Sequence, residues 1–250
     1  MKLAVRATGP EAAPPVVFLG SLGSTIEMWE PQVGALAGEL RCLLVDHRGH
    51  GATGSPPGPY TIEDLGRDVL ETLDDLRIER VHVVGLSLGA MTAMWLGAEH
   101  PWRLSGAVLL STSAYIPDAG WDDRAAIVRQ HGMKAIADMV VSRWLTPAWA
   151  DADPGARDRL AAMVQSIDPD GYANCCGAIA TMDLRPLLSD IHVPCVIVVG
   201  RDDPNTPPAH ADVIAAGIPA APLELIDGAH FCNWDNAGVV NDIIQRHVRS

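Results

Sequence analysis

Six apolar runs of strand length, at residues 16–19, 42–45, 81–84, 106–110, 195–199 and 222–226, constrain this chain more than any other feature of it. Each carries β-branched residues or leucine and runs straight into Gly, Asp or Ser. The runs are nearly continuous rather than alternating, so both faces of each strand must be covered, as in a parallel sheet with helices on either side. Between the second and third runs, residues 61–76 set Ile62, Leu65, Val69, Leu73 and Leu76 on one helical face, and Thr61-x-x-Asp64 is a helix start. The expectation is an α/β fold, a mostly parallel sheet with helices on both faces.

The strand rhythm stops at about residue 115 and resumes near 189. Helical patterns fill the gap at 125–131, 133–145 and 154–167, and Trp121, Trp144 and Trp149 lie within it, three of the chain's seven tryptophans. This predicts a helical cap at 115–188 inserted between two parts of one core, 1–114 and 189–250, with its tryptophans over a pocket or packed within the insert. A last helix is expected at about 238–248. The only strand material before Val16 is a short piece at residues 3–7, so the sheet's first edge should be trimmed or irregular.

Charge and cysteine usage narrow the function. The 250 residues hold 18 Lys plus Arg against 31 Asp plus Glu, a net charge of −13, with no basic cluster, so a nucleic-acid backbone would be repelled. No apolar run approaches the roughly 20 residues that span a bilayer, and the first residues carry no apolar leader, so neither a membrane nor export is expected and the chain reads as cytoplasmic. Cys42, Cys175, Cys176, Cys195 and Cys232 lack metal-ligand spacing and form no evident disulfide framework; they read as reduced core thiols. No metal site is indicated. The turn 46–51 after the second run, with its Asp46, Arg48 and two histidines, reads as structural and shaped by an Asp–Arg interaction.

Gly85-Leu86-Ser87-Leu88-Gly89 follows the third strand and opens a helical pattern. Short strings of this kind arise by chance, but few fall at a strand-to-helix corner. There the glycines relieve crowding around a sharp turn that lifts a serine hydroxyl above the sheet, and the next residue, Leu88, offers its N–H to an oxyanion. A serine needs a base held by a carboxylate. His230 follows the last strand in Asp227-Gly228-Ala229-His230, and Asp203 follows the fifth run in Gly200-Arg201-Asp202-Asp203-Pro204. Ser87, Asp203 and His230 thus come in the chain order of a nucleophile-elbow hydrolase, all at the carboxyl ends of strands.

With these residues in view, the chain resembles the α/β-hydrolases over nearly its whole length, and among them the 3-oxoadipate enol-lactonases of the β-ketoadipate pathway. The likeness lies in Gly20-Ser21-Leu22-Gly23-Ser24 with Met28-Trp29, in Asp46 to Gly51, in Pro57-Gly58-Pro59-Tyr60-Thr61-Ile62, and in the elbow itself. The stretch Gly171-Tyr172-Ala173-Asn174-Cys175-Cys176-Gly177-Ala178-Ile179 is the part specific to the lactonases. Gly200-x-x-Asp203-x-x-Thr206-Pro207-Pro208 favours Asp203 over Asp202 as the carboxylate. Many α/β-hydrolases have His-Gly where this chain has Gly20-Ser21.

The resemblance implies an α/β-hydrolase fold, Leu22 N–H as a second oxyanion donor, and a cofactor-free serine hydrolase opening an anionic lactone through an acyl-enzyme. A substrate carboxylate in so acidic a chain calls for a local cation. Arg124, Arg129 and Arg143 in the insert are the candidates, and Trp121 and Trp144 are candidate walls. Other acyl groups, as in a simple esterase or perhydrolase, and a ligand-binding protein of the same fold remain alternatives.

Overall fold

All six expected strands form, joined by a short one at the start: β1 (Val5–Thr8), β2 (Pro15–Leu19), β3 (Arg41–Val45), β4 (Val81–Leu86), β5 (Leu104–Leu110), β6 (Cys195–Gly200) and β7 (Leu223–Ile226). In this computed structural model, which describes residues 1–116 and 120–249, they make one sheet in the order β1-β3-β2-β4-β5-β6-β7. Residues 117–119, near the start of the expected insert, and residue 250 lie outside the described residues. Every neighbouring pair is parallel except β1 and β3, which run antiparallel with Val5 opposite Val45 and Thr8 opposite Cys42. The trimmed edge anticipated at residues 3–7 is therefore a regular strand of four residues. The winding direction reverses at β2 and β4, the crevice where open α/β sheets bind ligands beyond the carboxyl ends of their strands.

The helices are α1 (Glu30–Leu36), α2 (Ile62–Asp75), α3 (Leu88–Glu99), α4 (Trp121–His131), α5 (Ala137–Val141), α6 (Pro147–Ala152), α7 (Pro154–Gln165), α8 (Pro169–Thr181), α9 (Pro208–Gly217), α10 (Cys232–Asp235) and α11 (Ala237–Arg249). The Thr61 signal is a complete capping box: Asp64 N–H donates to Thr61 Oγ1 at 3.0 Å and Thr61 N–H to Asp64 Oδ2 at 2.9 Å. From there α2 buries Ile62, Leu65, Val69 and Leu73 and packs along α3. Its opposite extreme is α3, buried from Leu88 to Gly97 with no polar face, as a helix enclosed by core must be.

The expected Asp–Arg interaction takes a different form in the turn after β3. Arg48 pairs with buried Asp68 of α2, Nε to Oδ2 at 2.6 Å and Nη2 to Oδ1 at 2.8 Å, a forked geometry that suits guanidinium and carboxylate. Asp46 instead accepts the N–H groups of Ile26 and Ala52, both at 2.9 Å, and ties this loop to the segment after β2.

Between β5 and β6 the chain leaves the sheet for α4 to α8. The stretch expected to be one helix over 133–145 breaks into a single turn at Met133–Ala135 and the short α5. α4 begins at Trp121, earlier than its apolar pattern suggests, and lies along α8, while α5 lies on α7. The insert seats on the core with almost no side chain between them at one point: a Cβ added to Gly49 or to Gly171 would lie 2.4 Å from the other's Cα. The five cysteines are free and buried. Burial pushes their thiols up, Cys42 to about 11 and Cys176, Cys195 and Cys232 to about 12, so they stay protonated and inert. Among the described residues no helix is long and apolar enough to cross a membrane.

Candidate active site

Ser87 is the hinge residue between β4 and α3. Its φ of 54° is unusual for a side chain with a Cβ and costs of order 1–3 kcal/mol. The surroundings enforce it. Ser87 N–H donates to Leu110 O at the end of β5, 3.0 Å away, and Gly89 N–H donates to Gly20 O beyond β2, also at 3.0 Å, so the turn is wedged between two strands. The flanking glycines are required by space: a Cβ on Gly85 would lie 2.5 Å from Ala90 N, and one on Gly89 only 2.0 Å from Leu19 O. Both neighbours are backbone atoms that cannot step aside.

Leu88 is the first residue of α3, where an N–H has no intrahelical acceptor and the helix dipole favours negative charge. Leu22 lies in the turn after β2, which the Gly89–Gly20 hydrogen bond draws against the elbow. Leu22 and Ser87 line the same cavity, of about 340 Å³.

His230 lines that cavity as well, and behind it stands Asp203. His230 Nδ1 faces both carboxylate oxygens, at 2.9 Å from Oδ2 and 3.1 Å from Oδ1. The carboxylate also accepts Asn205 N–H at 2.8 Å, Thr206 N–H at 3.0 Å and the Thr206 hydroxyl at 2.8 Å. Burial alone would push its acidity toward the neutral form, but His230 and these donors outweigh burial, and Asp203 is held below the ordinary carboxylate range. The adjacent Asp202 is exposed, its N–H on Gly228 O at 3.0 Å, away from the imidazole. Ser87 Oγ and the His230 ring face one cavity without a hydrogen bond between them among the described residues, an opening common in ligand-free sites.

The histidine loop is tied to the insert. Phe231 N–H donates to Trp144 O at 2.6 Å, and Asp235 accepts both Thr146 N–H at 3.0 Å and Ala229 N–H at 2.7 Å.

Of the insert residues expected at the site, Trp121, Arg124, Arg143 and Trp144 line the cavity. Arg129 does not. It reaches outward from α4 to α8, donating to Asn174 Oδ1 at 2.9 Å and pairing with Asp170 at 3.3 Å, so those partners hold it outside the cavity. Arg124 lies over the Trp121 ring, 4.9 Å from its centroid. No Asp or Glu is among the described residues lining the cavity, and neither Arg124 nor Arg143 has a carboxylate ion-pair partner among them. In a chain of net charge −13 this is a local reversal of sign.

Sequence reasoning missed Tyr172, Ile179, Met91 and Asn205 as lining residues. A signal existed for the first two. Tyr172, Cys175, Cys176 and Ile179 follow helical spacing behind Asp168, which caps α8 by accepting Gly171 N–H at 2.7 Å. Among the described residues no group of three or more His, Cys, Asp or Glu side chains gathers to hold a metal ion.

Comparison with known proteins shows the family and the fold. A family model described as the alpha/beta hydrolase fold matches residues 14–237. The 3-oxoadipate enol-lactonase 2 of Acinetobacter baylyi is 33% identical over 238 residues, covering 95% of this chain and 89% of that protein. The crystal structure of the enol-lactonase from Burkholderia xenovorans superposes with a TM-score of 0.97 at 35% identity, covering 99% of this chain and 96% of that one. A thermophilic esterase from Thermogutta terrifontis, solved with malate bound, superposes with a TM-score of 0.92 at 26% identity, covering 99% and 93%.

Proposed function

The chain belongs to the α/β-hydrolase family, and from that premise we propose that it opens 3-oxoadipate enol-lactone to 3-oxoadipate by acyl transfer through Ser87. What supports the reading is one juxtaposition: the Asp203–His230 pair and Ser87 share a cavity that, among the described residues, is lined by the guanidinium groups of Arg124 and Arg143 and by no carboxylate. A lactone that carries a free carboxylate matches that polarity, and the enol-lactonases of A. baylyi and B. xenovorans are similar to this chain in sequence and in fold over nearly its whole length.

In the proposed mechanism His230 Nε2 takes the Ser87 proton as Oγ adds to the ring carbonyl. Asp203, ionised and bonded to Nδ1, fixes the tautomer and stabilises the imidazolium. The tetrahedral oxyanion is received by the N–H groups of Leu22 and Leu88. Collapse breaks the ring C–O bond and expels an enolate, which takes a proton from His230 and becomes the keto form. Water, deprotonated by His230, then releases Ser87 and the second carboxylate of the product. Arg124 and Arg143 hold the substrate's free carboxylate, and Trp121 and Trp144 flank the ring. Residues 115–188 serve as the cap that excludes bulk water from these steps.

The decisive measurement follows the loss of enol-lactone ultraviolet absorbance with the purified protein. Turnover that vanishes in Ser87→Ala is the expected result. Turnover that survives the substitution, or is absent from the parent while simple aryl esters are cleaved, overturns the nucleophile or the substrate respectively.

A further inference from the structure

The Leu22 peptide is restrained on both sides by residues that line neither face of the reaction. On one side Ser21 O accepts two donors from Ser24, the hydroxyl at 2.7 Å and the N–H at 3.1 Å. Ser21 O and Leu22 N–H belong to a single planar unit, and in a trans peptide they point in opposite directions. Holding the carbonyl toward Ser24 therefore holds the N–H away from it. On the other side Gly23 N–H donates to His50 Nε2 at 3.0 Å, while His50 Nδ1 faces Arg48 O at 3.2 Å. That pattern requires the neutral ring with its proton on Nδ1. Both residues are buried, Ser24 at 3% and His50 at 1% exposure, so water does not compete for these bonds. Gly23 has a φ of 81°, left-handed backbone that glycine adopts without steric cost.

Resting on the acyl-transfer reading above, we propose that Ser24 and His50 are positioning residues that clamp the Leu22 peptide from either side and keep its N–H aimed at the oxyanion. The Ser24 hydroxyl has a single proton and two acceptors in reach, Ser21 O and Met28 Sδ at 2.9 Å. The carbonyl is the stronger acceptor, so the proton goes there and the sulfur makes a secondary contact. Without the hydroxyl, Ser21 O keeps only the longer bond from Ser24 N–H, and the peptide plane can rotate about its two flanking single bonds. The N–H then spends part of its time off target. Ground-state binding is untouched, because the substrate carbonyl gains its full negative charge only in the transition state.

The test compares Ser24→Ala, Ser24→Thr and His50→Gln with the parent, using the enol-lactone and p-nitrophenyl acetate as substrates and phenylboronic acid as a tetrahedral mimic. Removing an oxyanion donor outright costs about 10²–10³ in turnover, so a loosened one in Ser24→Ala should lower kcat by about tenfold or more on both substrates with KM nearly unchanged. The boronic acid Ki should rise by a similar factor. Ser24→Thr keeps the hydroxyl and should restore most of kcat; His50→Gln keeps an acceptor and should fall between the two. A Ser24→Ala protein that melts earlier yet keeps the parent kcat and boronate affinity has lost only turn stability, and the clamp is overturned. Should Ser24→Ala fail to fold, Ser24→Thr and His50→Gln carry the test, and parent-like boronate affinity in His50→Gln together with loss in Ser24→Thr overturns it. A parent that cleaves p-nitrophenyl acetate but not the lactone fails the substrate reading alone, and a parent that cleaves neither ester overturns the clamp with the acyl-transfer reading.

Discussion

The indole of Trp144 lies flat on the ring of Phe231, centroids 4.0 Å apart and planes 12° from parallel, so the residue after His230 and the residue after Arg143 are one packed unit. Main-chain and side-chain bonds reinforce the stack, through Phe231 N–H to Trp144 O and through Asp235 to both Thr146 and Ala229. The proposed base and one proposed carboxylate anchor therefore keep a fixed separation. Phe231→Ala should cost about 3–5 kcal/mol of stability in a denaturant titration, as buried aromatic truncations do, and should also reduce kcat/KM. Asp235→Asn keeps the packing but weakens the charge-assisted bonds, and a smaller stability loss with a comparable loss of kcat/KM is expected. Full activity in Asp235→Asn would mean that the spacing is held by the stack alone.

Asp203→Asn should drop kcat by about 10⁴ while KM changes little, because an amide can hold the wrong tautomer of His230 and cannot stabilise its cation. The carboxylate is held below its ordinary range, so in the wild type it stays ionised through the acid limb of the activity profile. A limb that survives Asp203→Asn unchanged in position, with turnover near the parent's, would remove Asp203 from the mechanism.

Arg124 and Arg143 make the cavity attractive to anions in a chain of net charge −13. Arg143→Gln and Arg124→Gln should each raise KM for the lactone, by roughly tenfold for loss of one charge-assisted bond of about 1.5 kcal/mol, and leave p-nitrophenyl acetate unaffected. High salt should reproduce part of the effect in the parent. Equal losses on the neutral ester would assign these side chains to packing instead.

Acid should destabilise the protein well before its carboxylates titrate. Burial pushes His47 down to about 3 and His50 and His82 to about 4, from the usual 6.5. The unfolded chain then binds protons that the folded one refuses, so stability is complete above about 6.5 and is lost as pH falls through the folded values. Asp203, shifted below its unfolded value, adds a loss in the same direction at lower pH. The upper limit is about 1.4 kcal/mol per pH unit for each buried histidine. Falling pH also relieves the repulsion of a net charge of −13, which alone would stabilise. A melting temperature that declines between pH 6.5 and 4.5 shows that the histidines dominate; one that rises shows that repulsion does.

Much of the sheet was legible because its strands are continuous apolar runs with no competing helical reading: β2 through β7 fall where those runs lie, within a residue or two. The elbow was legible for a local reason as well, since both glycines answer to backbone atoms a fixed distance away. The insert was harder. α8 carries a helical stripe in Tyr172, Cys175, Cys176 and Ile179, but Gly171 and Gly177 weaken its helix propensity, so the spacing alone carried little weight. Arg129 and Arg124 are five residues apart on α4, and nothing in their spacing says which faces the cavity. That depends on where α8 lies, which is a tertiary fact. β1 takes its partner from β3 across the turn, so its short pattern carried little weight alone.

The contact between Gly49 and Gly171 leaves no room for a graded adjustment, since each residue already has the smallest side chain available. Any replacement there works as a shim under the first turn of α8, shifting the buried wall that Tyr172 gives the cavity while the elbow stays anchored in the sheet. Variants with new acyl preferences should therefore accumulate at the far margin of the insert, around Arg124 and Arg143, where a changed side chain reshapes the pocket without lifting the roof.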